Sequence, residues 1–120
     1  MARMPDYRLQ ALFEIREKAK EEAEEFYQEK RKVVVREEQK LAEMKQKLRD
    51  MVAFREAKRQ EYLARTRAGE YTIHQIQAND RHIEKLKQEE QAYQVEIQRQ
   101  AERVRDAEEE AEEAMQALLL

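Results

Sequence analysis

The sequence predicts an all-α fold, a long antiparallel two-helix coiled-coil hairpin that forms a single domain over residues 1–120. Charged residues make up 42% of the chain, with one Pro and no Trp, which is typical of coiled coils rather than of a globular core. The single glycine, Gly69, lies near the middle, between two charged segments. In the second segment, apolar residues repeat with the heptad spacing of a coiled coil.

The first helix is predicted from about Pro5 to Ala68. Proline suits the first helical position, and Asp6 beside it favours the positive end of the helix dipole. At about 1.5 Å per residue the helix is roughly 95 Å long, so its apolar stripe requires another helix as a partner. We expect two registers in the stripe, with a step within Val33–Val35. The first register contains Leu9, Leu12, Ala19, Ala23, Phe26 and Val33, and the second contains Leu41, Met44, Leu48, Met51 and Tyr62.

The turn is predicted at about residues 69–72. Gly69 suits the position just past a helix end, where the backbone needs a positive φ. Thr72 fits the N-cap of a second helix, and Gln75 completes a capping box with it. Tyr71 and Ile76 have the spacing of a hydrophobic staple. The alternative is one continuous helix with a lone glycine inside it, at a cost of about 1 kcal/mol.

The second helix is predicted from about Ile73 to Leu118 in one heptad register. Its a positions are Ile76, Ile83, Glu90, Ile97, Val104, Ala111 and Leu118. Its d positions are Asn79, Leu86, Tyr93, Gln100, Ala107 and Ala114. The polar residues among them reduce the stability of a coiled coil but can fix its register.

Folding back at Gly69 places particular residues of the two helices opposite each other. Leu86 is expected near Phe54, and Ile97 near Met44, with Tyr93 near Lys47 and Leu48 and with Ile83 near Ala57. The basic residues 30–32 then face an acidic block, as complementary flanks of a coiled coil should. That block contains Asp106, Glu108, Glu109, Glu110, Glu112 and Glu113.

The first helix is longer than the second, so residues from about 4 to 21 are expected to project beyond the paired region. This segment carries an apolar stripe that needs a partner, either an extension of the second helix or another protein. The stripe contains Tyr7, Leu9, Leu12, Phe13 and Ile15.

The composition argues against several functions. A net charge of −3 provides no global field for nucleic acid, and no apolar run approaches the ~20 residues of a membrane span. The segment after Met1 is polar, so no secretory signal is expected. His74 and His82 are eight residues apart, which does not fit a helical metal pair. We therefore expect no enzyme activity, no cofactor, no metal, no nucleic-acid partner and no membrane insertion.

Two segments resemble the FliJ/YscO family of type III secretion proteins. Residues 7–17, with an aromatic residue followed by a leucine-rich stretch and a basic–acidic pair, resemble the family's start. Residues 68–72, followed by Ile76, Ile83 and Leu86, are similar to its hairpin tip. The resemblance covers nearly the whole chain, although the second helix ends earlier than the family pattern leads us to expect.

The resemblance implies a central stalk protein, similar in shape to the shaft subunit of rotary ATP synthases. Its partners are then the hexameric secretion ATPase, the export gate and secretion chaperones, and its place is cytoplasmic, peripheral to the secretion apparatus at the inner membrane. By the same resemblance, ATPase contact falls on Tyr7, Leu9, Leu12, Phe13 and Arg16. Export-gate contact falls on Tyr62, Tyr71, His74 and Gln75, although Tyr62 also fits ordinary seam packing.

Two other classes of function remain open. One is a purely structural coiled-coil spacer, or a parallel dimer whose helices continue through Gly69, with no ATPase partner. The other is a helical arm that grips RNA, which the acidic second helix disfavours.

Overall fold

A computed structural model of the chain describes the backbone of residues 3–120 and the side chains of residues 7–120. It contains two α-helices, α1 (Arg3–Arg67) and α2 (Ile73–Leu119), and no strand within that range. The predicted all-α helical hairpin is confirmed. The expected roles of Pro5 and Asp6 concern side chains outside the described residues.

The chain separates into two compact units. We call the described residues up to Glu38 with Arg103–Leu120 the end unit, because it contains both chain ends. Gln39–Glu102 form the turn unit, which contains the connection between the helices. The single domain over residues 1–120 stays a prediction.

The turn between the helices is a Schellman motif. The amide of Gly69 donates to the carbonyl of Thr66 at 3.0 Å, and the amide of Glu70 donates to the carbonyl of Arg65 at 3.0 Å. These two bonds satisfy carbonyls that the helix end leaves open, and they require the left-handed conformation that Gly69 adopts, with φ of 74°. An ion pair of 2.9 Å between Arg65 and Glu70 bridges the positions where an apolar contact often accompanies this motif.

The start of α2 is the predicted capping box. The amide of Gln75 donates to Oγ1 of Thr72 at 3.2 Å, and the amide of Thr72 donates to Oε1 of Gln75 at 2.8 Å. Each side chain thus satisfies a backbone donor that the first helical turn leaves without a partner. The polypeptide ends one helix and begins the next within residues 68–72, so a helix continuing through Gly69 is excluded.

The heptad register of α2 is confirmed by burial. Every predicted a and d residue from Ile76 to Leu118 is buried or half-buried. Elsewhere in α2, only His82, Ala101 and Met115 are not exposed.

The predicted register step in α1 is wrong. Most half-buried and buried residues of α1 follow one heptad register, and Tyr27, Lys30 and Glu37 lie on it where neighbouring apolar residues were expected. Outside this register, the half-buried residues of α1 are Ala11, Val33, Val52 and Glu56. Phe26, which was expected in the seam, is 56% exposed. The long stems of tyrosine, lysine and glutamate can cover a seam while their polar ends reach water, and an apolar pattern misses such residues. The observed register contains Ala23, Tyr27, Lys30, Val34, Glu37, Leu41, Met44, Leu48, Met51, Arg55, Lys58 and Tyr62.

In the end unit, the two helices pack through small side chains. Val34 is 1% exposed and packs in one cluster with Ala107 and Ala111, with Val33 beside it. Alanine at these positions of α2 lets the helix backbones approach closely. The predicted charge match is also present, since Nζ of Lys30 lies 3.1 Å from a carboxylate oxygen of Glu110.

In the turn unit, polar and aromatic groups take part in the seam. Nε of Arg55 donates to a carboxylate oxygen of Glu90 at 2.7 Å, and both side chains are largely buried. The ammonium group of Lys47 lies 4.9 Å from the ring centre of Tyr93, which confirms that predicted neighbour. As expected, Leu86 and Phe54 line one groove. Leu48 and Ile97 line another, whereas the predicted neighbour of Ile97 was Met44, and that pairing stays a prediction.

Candidate protein-binding surfaces

Exposed apolar side chains are concentrated near the start of α1. We call this set the N-terminal surface, and it includes the residues predicted for ATPase contact. Tyr7 is 75% exposed, and Leu9, Phe13 and Ile15 are each more than 60% exposed. Large apolar side chains so exposed, in one contiguous stretch, are typical of a surface that binds another protein. The N-terminal surface contains Tyr7, Leu9, Leu12, Phe13, Ile15, Arg16 and Lys20.

Part of the N-terminal surface continues the seam of α1. Leu9, Phe13, Arg16 and Lys20 follow the alternating four- and three-residue spacing that leads into the half-buried Ala23 and Tyr27. The same helix face is therefore covered from Ala23 onward and exposed before it. Arg16 and Lys20 form no ion pair within residues 7–120. Lys20 was not predicted as a site residue, because a seam drawn from apolar residues alone passes over it.

The second candidate surface lies beside the turn, and two of its four predicted residues, Tyr62 and Tyr71, already contact each other. We call it the tip surface, and it contains the predicted residues Tyr62, Tyr71, His74 and Gln75 together with Ile73. The hydroxyl of Tyr62 shares a hydrogen bond of 2.7 Å with Nδ1 of His82. The rings of Tyr62 and Tyr71 meet edge to face, with their centres 6.3 Å apart. The guanidinium of Arg65 lies 4.8 Å from the ring centre of Tyr71. Tyr62 is therefore partly a packing residue, which was the alternative interpretation from the sequence.

Other residues of the tip surface remain open to a partner. His74 is exposed, whereas Gln75 is used by the capping box although its side chain is also exposed. Ile73, which the sequence analysis did not single out, is 74% exposed at the first residue of α2. Its place in the sequence could have identified it as an exposed apolar residue, because it follows the N-cap directly and lies off the heptad seam.

Two arginines of the turn unit have raised pKa values. The hydrogen bond that Arg55 donates to Glu90 raises the pKa of Arg55, and the hydrogen bond that Arg65 donates to Glu70 raises the pKa of Arg65. Both groups remain cationic, so they act as fixed charges rather than as proton donors. No cluster of three or more metal-ligating side chains occurs among the described residues. In that same part of the chain, neither helix contains a stretch apolar enough to span a bilayer.

Comparison with models of known protein families identifies the family of this chain. A family model described as YscO-like protein matches residues 4–119. The chain belongs to the YscO-like family. This confirms the family that the sequence resembles, and it makes the chain a type III secretion-related protein, from a family of structural secretion components. Comparisons with curated proteins and with solved structures gave no match.

Proposed function

We propose that this YscO-like protein is a non-enzymatic central stalk and adaptor of a type III secretion export ATPase. In this role it links the ATPase hexamer to the export gate and also binds secretion chaperones. It acts in the cytoplasm, at the secretion apparatus on the inner membrane. The observation that carries the proposal is the N-terminal surface, an exposed apolar stretch on a chain that is otherwise rich in charge.

The N-terminal surface has the chemistry expected for the ATPase contact. Burying a leucine or phenylalanine side chain is worth about 1.5 to 3 kcal/mol, so Leu9, Leu12 and Phe13 together can dominate an interface. Tyr7 adds an aromatic ring with a polar end, and Arg16 adds a charge that can orient the complex. In the described structure no residue of α2 buries these side chains.

The tip surface is the proposed contact for the export gate. Tyr62 and Tyr71 form a packed aromatic group, which presents part of its surface at low cost in conformational entropy. His74, Gln75 and Ile73 supply exposed polar and apolar groups beside it. The contact then falls on a pre-ordered surface rather than on a flexible loop.

The competing candidate is a coiled-coil spacer with no ATPase partner. Its parallel-dimer form needs helices that continue through Gly69, whereas α1 ends at Arg67 and α2 begins at Ile73. A hairpin spacer fits the fold equally well, and it differs from the stalk in needing no exposed apolar stretch at Tyr7–Ile15.

Capture of the chain by the purified ATPase of the same secretion system tests the proposal. The wild-type chain should bind, and the double variant Leu9→Asp/Phe13→Asp should lose at least about tenfold in affinity, or 1.4 kcal/mol. The control is Ile73→Asp, which changes an equally exposed apolar residue of the tip surface and should bind as wild type does. Failure of the wild-type chain to bind, or equal binding of both variants, contradicts the ATPase contact.

A further inference from the structure

Arg16 and Lys20 hold seam positions of α1, and the paired part of the same helix contains further cations at seam positions. Lys30 and Arg55 are two of these, and each is half-buried. A cation on a seam is costly unless a carboxylate meets it, because the contact removes part of its water. Lys30 and Arg55 therefore show how this protein satisfies a cation at a seam position.

In both examples the facing helix supplies a glutamate. Arg55 donates to Glu90 of α2 at 2.7 Å, and Lys30 donates to Glu110 of α2 at 3.1 Å. The third seam cation, Lys58, instead pairs with Glu61 of its own helix at 3.2 Å and lies over the ring of Phe54. Thus, at two of the three seam cations, the helix that covers the seam carries a carboxylate at the matching position.

We propose that residues 9–20 of α1 bind an acidic amphipathic helix of another protein. Its apolar residues pack on Leu9 and Phe13, and its carboxylates pair with Arg16 and Lys20. Two observations select this occupant: the surface continues an existing helix–helix seam, and its charged positions are both cationic. The inference rests on the proposed function, in that the secretion ATPase supplies this helix.

The carboxylates of the partner helix determine which helices can bind here and in which register. The apolar positions Leu9 and Phe13 accept many helices, because apolar packing is not directional. Arg16 and Lys20 distinguish among them, since a basic helix in the same place brings like charges together, which costs several kcal/mol at an interface. The cations therefore determine partner choice and register, and the apolar pair supplies most of the affinity.

A pair of designed helical peptides, three heptads long, tests the inference independently of the ATPase. The acidic peptide carries leucines on its seam and glutamates at the positions facing Arg16 and Lys20, and the matched peptide has lysines in place of those glutamates. Fluorescence anisotropy with the full chain should show the acidic peptide binding at least about tenfold tighter. The variant Arg16→Glu/Lys20→Glu should reverse that order.

The control variant is Arg31→Glu/Arg36→Glu, which makes the same change of charge at exposed positions outside the seam. This control should retain the preference for the acidic peptide. A general electrostatic effect would instead change the peptide preference of both variants in the same way. Helicity measured by circular dichroism should be unchanged in the seam variant, because Arg16 and Lys20 are exposed and form no ion pair among the described residues.

The outcomes separate this inference from the stalk proposal. If the peptide preference is unaffected by Arg16→Glu/Lys20→Glu, the inference is overturned even when the ATPase binds. If the predicted reversal occurs but the ATPase does not bind, the acidic-helix site stands and the stalk proposal fails. A dimer of the wild-type chain in light scattering, abolished by the seam variant, identifies a second copy as the occupant and overturns the inference.

Discussion

The end unit and the turn unit bury different kinds of side chain. Among the described residues, the buried apolar ones lie in the end unit: Val34, Val104, Ala107, Ala111 and Ala114. In the described part of the turn unit, the buried residues are polar, namely Glu90 at 7% exposure and Gln100 at 1%. The larger apolar side chains of the turn unit, such as Leu86 and Met51, are half-buried.

This difference gives the two units different roles, one in the stability of the hairpin and one in the register of its helices. Alanine against valine packs closely in many registers, because small side chains impose few geometric constraints. A hydrogen-bonded pair such as Arg55 with Glu90 is satisfied in only one register. Slipping the helices leaves the Glu90 carboxylate buried without this partner, whereas Arg55 keeps only its contact of 3.2 Å with Glu56 of its own helix. We therefore expect close packing to stabilise the end unit and polar pairing to align the helices of the turn unit.

The largest expected effect comes from placing a charge in the close packing of the end unit. Ala111→Glu puts a carboxylate against Val34, beside other glutamates of α2, and should cost about 3 kcal/mol or more in the free energy of unfolding. The measurement is chemical denaturation followed by circular dichroism. Ala92→Glu, at an exposed position of the same helix, is the control and should change stability by less than about 0.5 kcal/mol. Equal effects of the two substitutions would show that Ala111 is not in a packed core.

The buried ion pair of the turn unit should show a different pattern. Arg55→Met leaves the Glu90 carboxylate without its main partner and should cost about 2 kcal/mol, measured by the same denaturation. Adding Glu90→Leu should recover most of that loss, because an apolar pair replaces a buried ion pair at little cost. A double variant as unstable as the single one would mean that Arg55 stabilises the turn unit by packing alone.

The alignment of the two helices tests the role of the Arg55–Glu90 ion pair more directly than stability does. In the Arg55→Met/Glu90→Leu variant, we expect stability to be retained while the distance between spin labels at Phe54 and Gln88 becomes more broadly distributed. A distribution as narrow as that of the wild-type chain would contradict the assigned role in alignment.

A smaller effect is expected at the turn. Gly69→Ala should cost about 1 kcal/mol, because a Cβ disfavours the left-handed conformation at φ of 74°. Apart from Gly69 and its two chain neighbours, no residue has a heavy atom within 4 Å of the position that this Cβ would take, so the expected cost is backbone strain. Gly69→Asn should cost less, since asparagine tolerates that conformation better. Equal losses, measured by thermal unfolding, would point to a cause other than φ.

The smallest effect is expected at the ion pair of the end unit between half-buried Lys30 and exposed Glu110. Lys30→Met removes the contact with Glu110, whose side chain is 56% exposed, and should change stability by less than about 0.5 kcal/mol. Comparison with Arg55→Met at low and high salt separates the two kinds of pair. A loss at Lys30 as large as that at Arg55 would contradict the distinction between the two units.

The sequence predicts some parts of this fold better than others. The seam of α2 could be predicted because isoleucine, leucine and alanine hold most of its heptad positions. The seam of α1 was mispredicted at Phe26, because Tyr27 and Lys30 reach the seam with the apolar part of polar side chains. The turn was predictable, since glycine, threonine and glutamine each have a distinct local role there.

The candidate surfaces were predicted less completely. The apolar stretch at Tyr7–Ile15 could be identified from its spacing alone, whereas Lys20 required the observed register of α1. A polar seam residue can be recognised where regular apolar heptads surround it, which is why Glu90 of α2 was identified. The apolar pattern of α1 is less regular, so its partner Arg55 was not.

Photo-crosslinking from two single positions tests the central claim most directly. A crosslinking amino acid replaces Phe13 in one chain and His74 in another, and each is mixed with the assembled ATPase hexamer before illumination. We expect the ATPase to be captured from Phe13 and not from His74. Capture from His74 with none from Phe13 would contradict the assignment of the N-terminal surface to the ATPase.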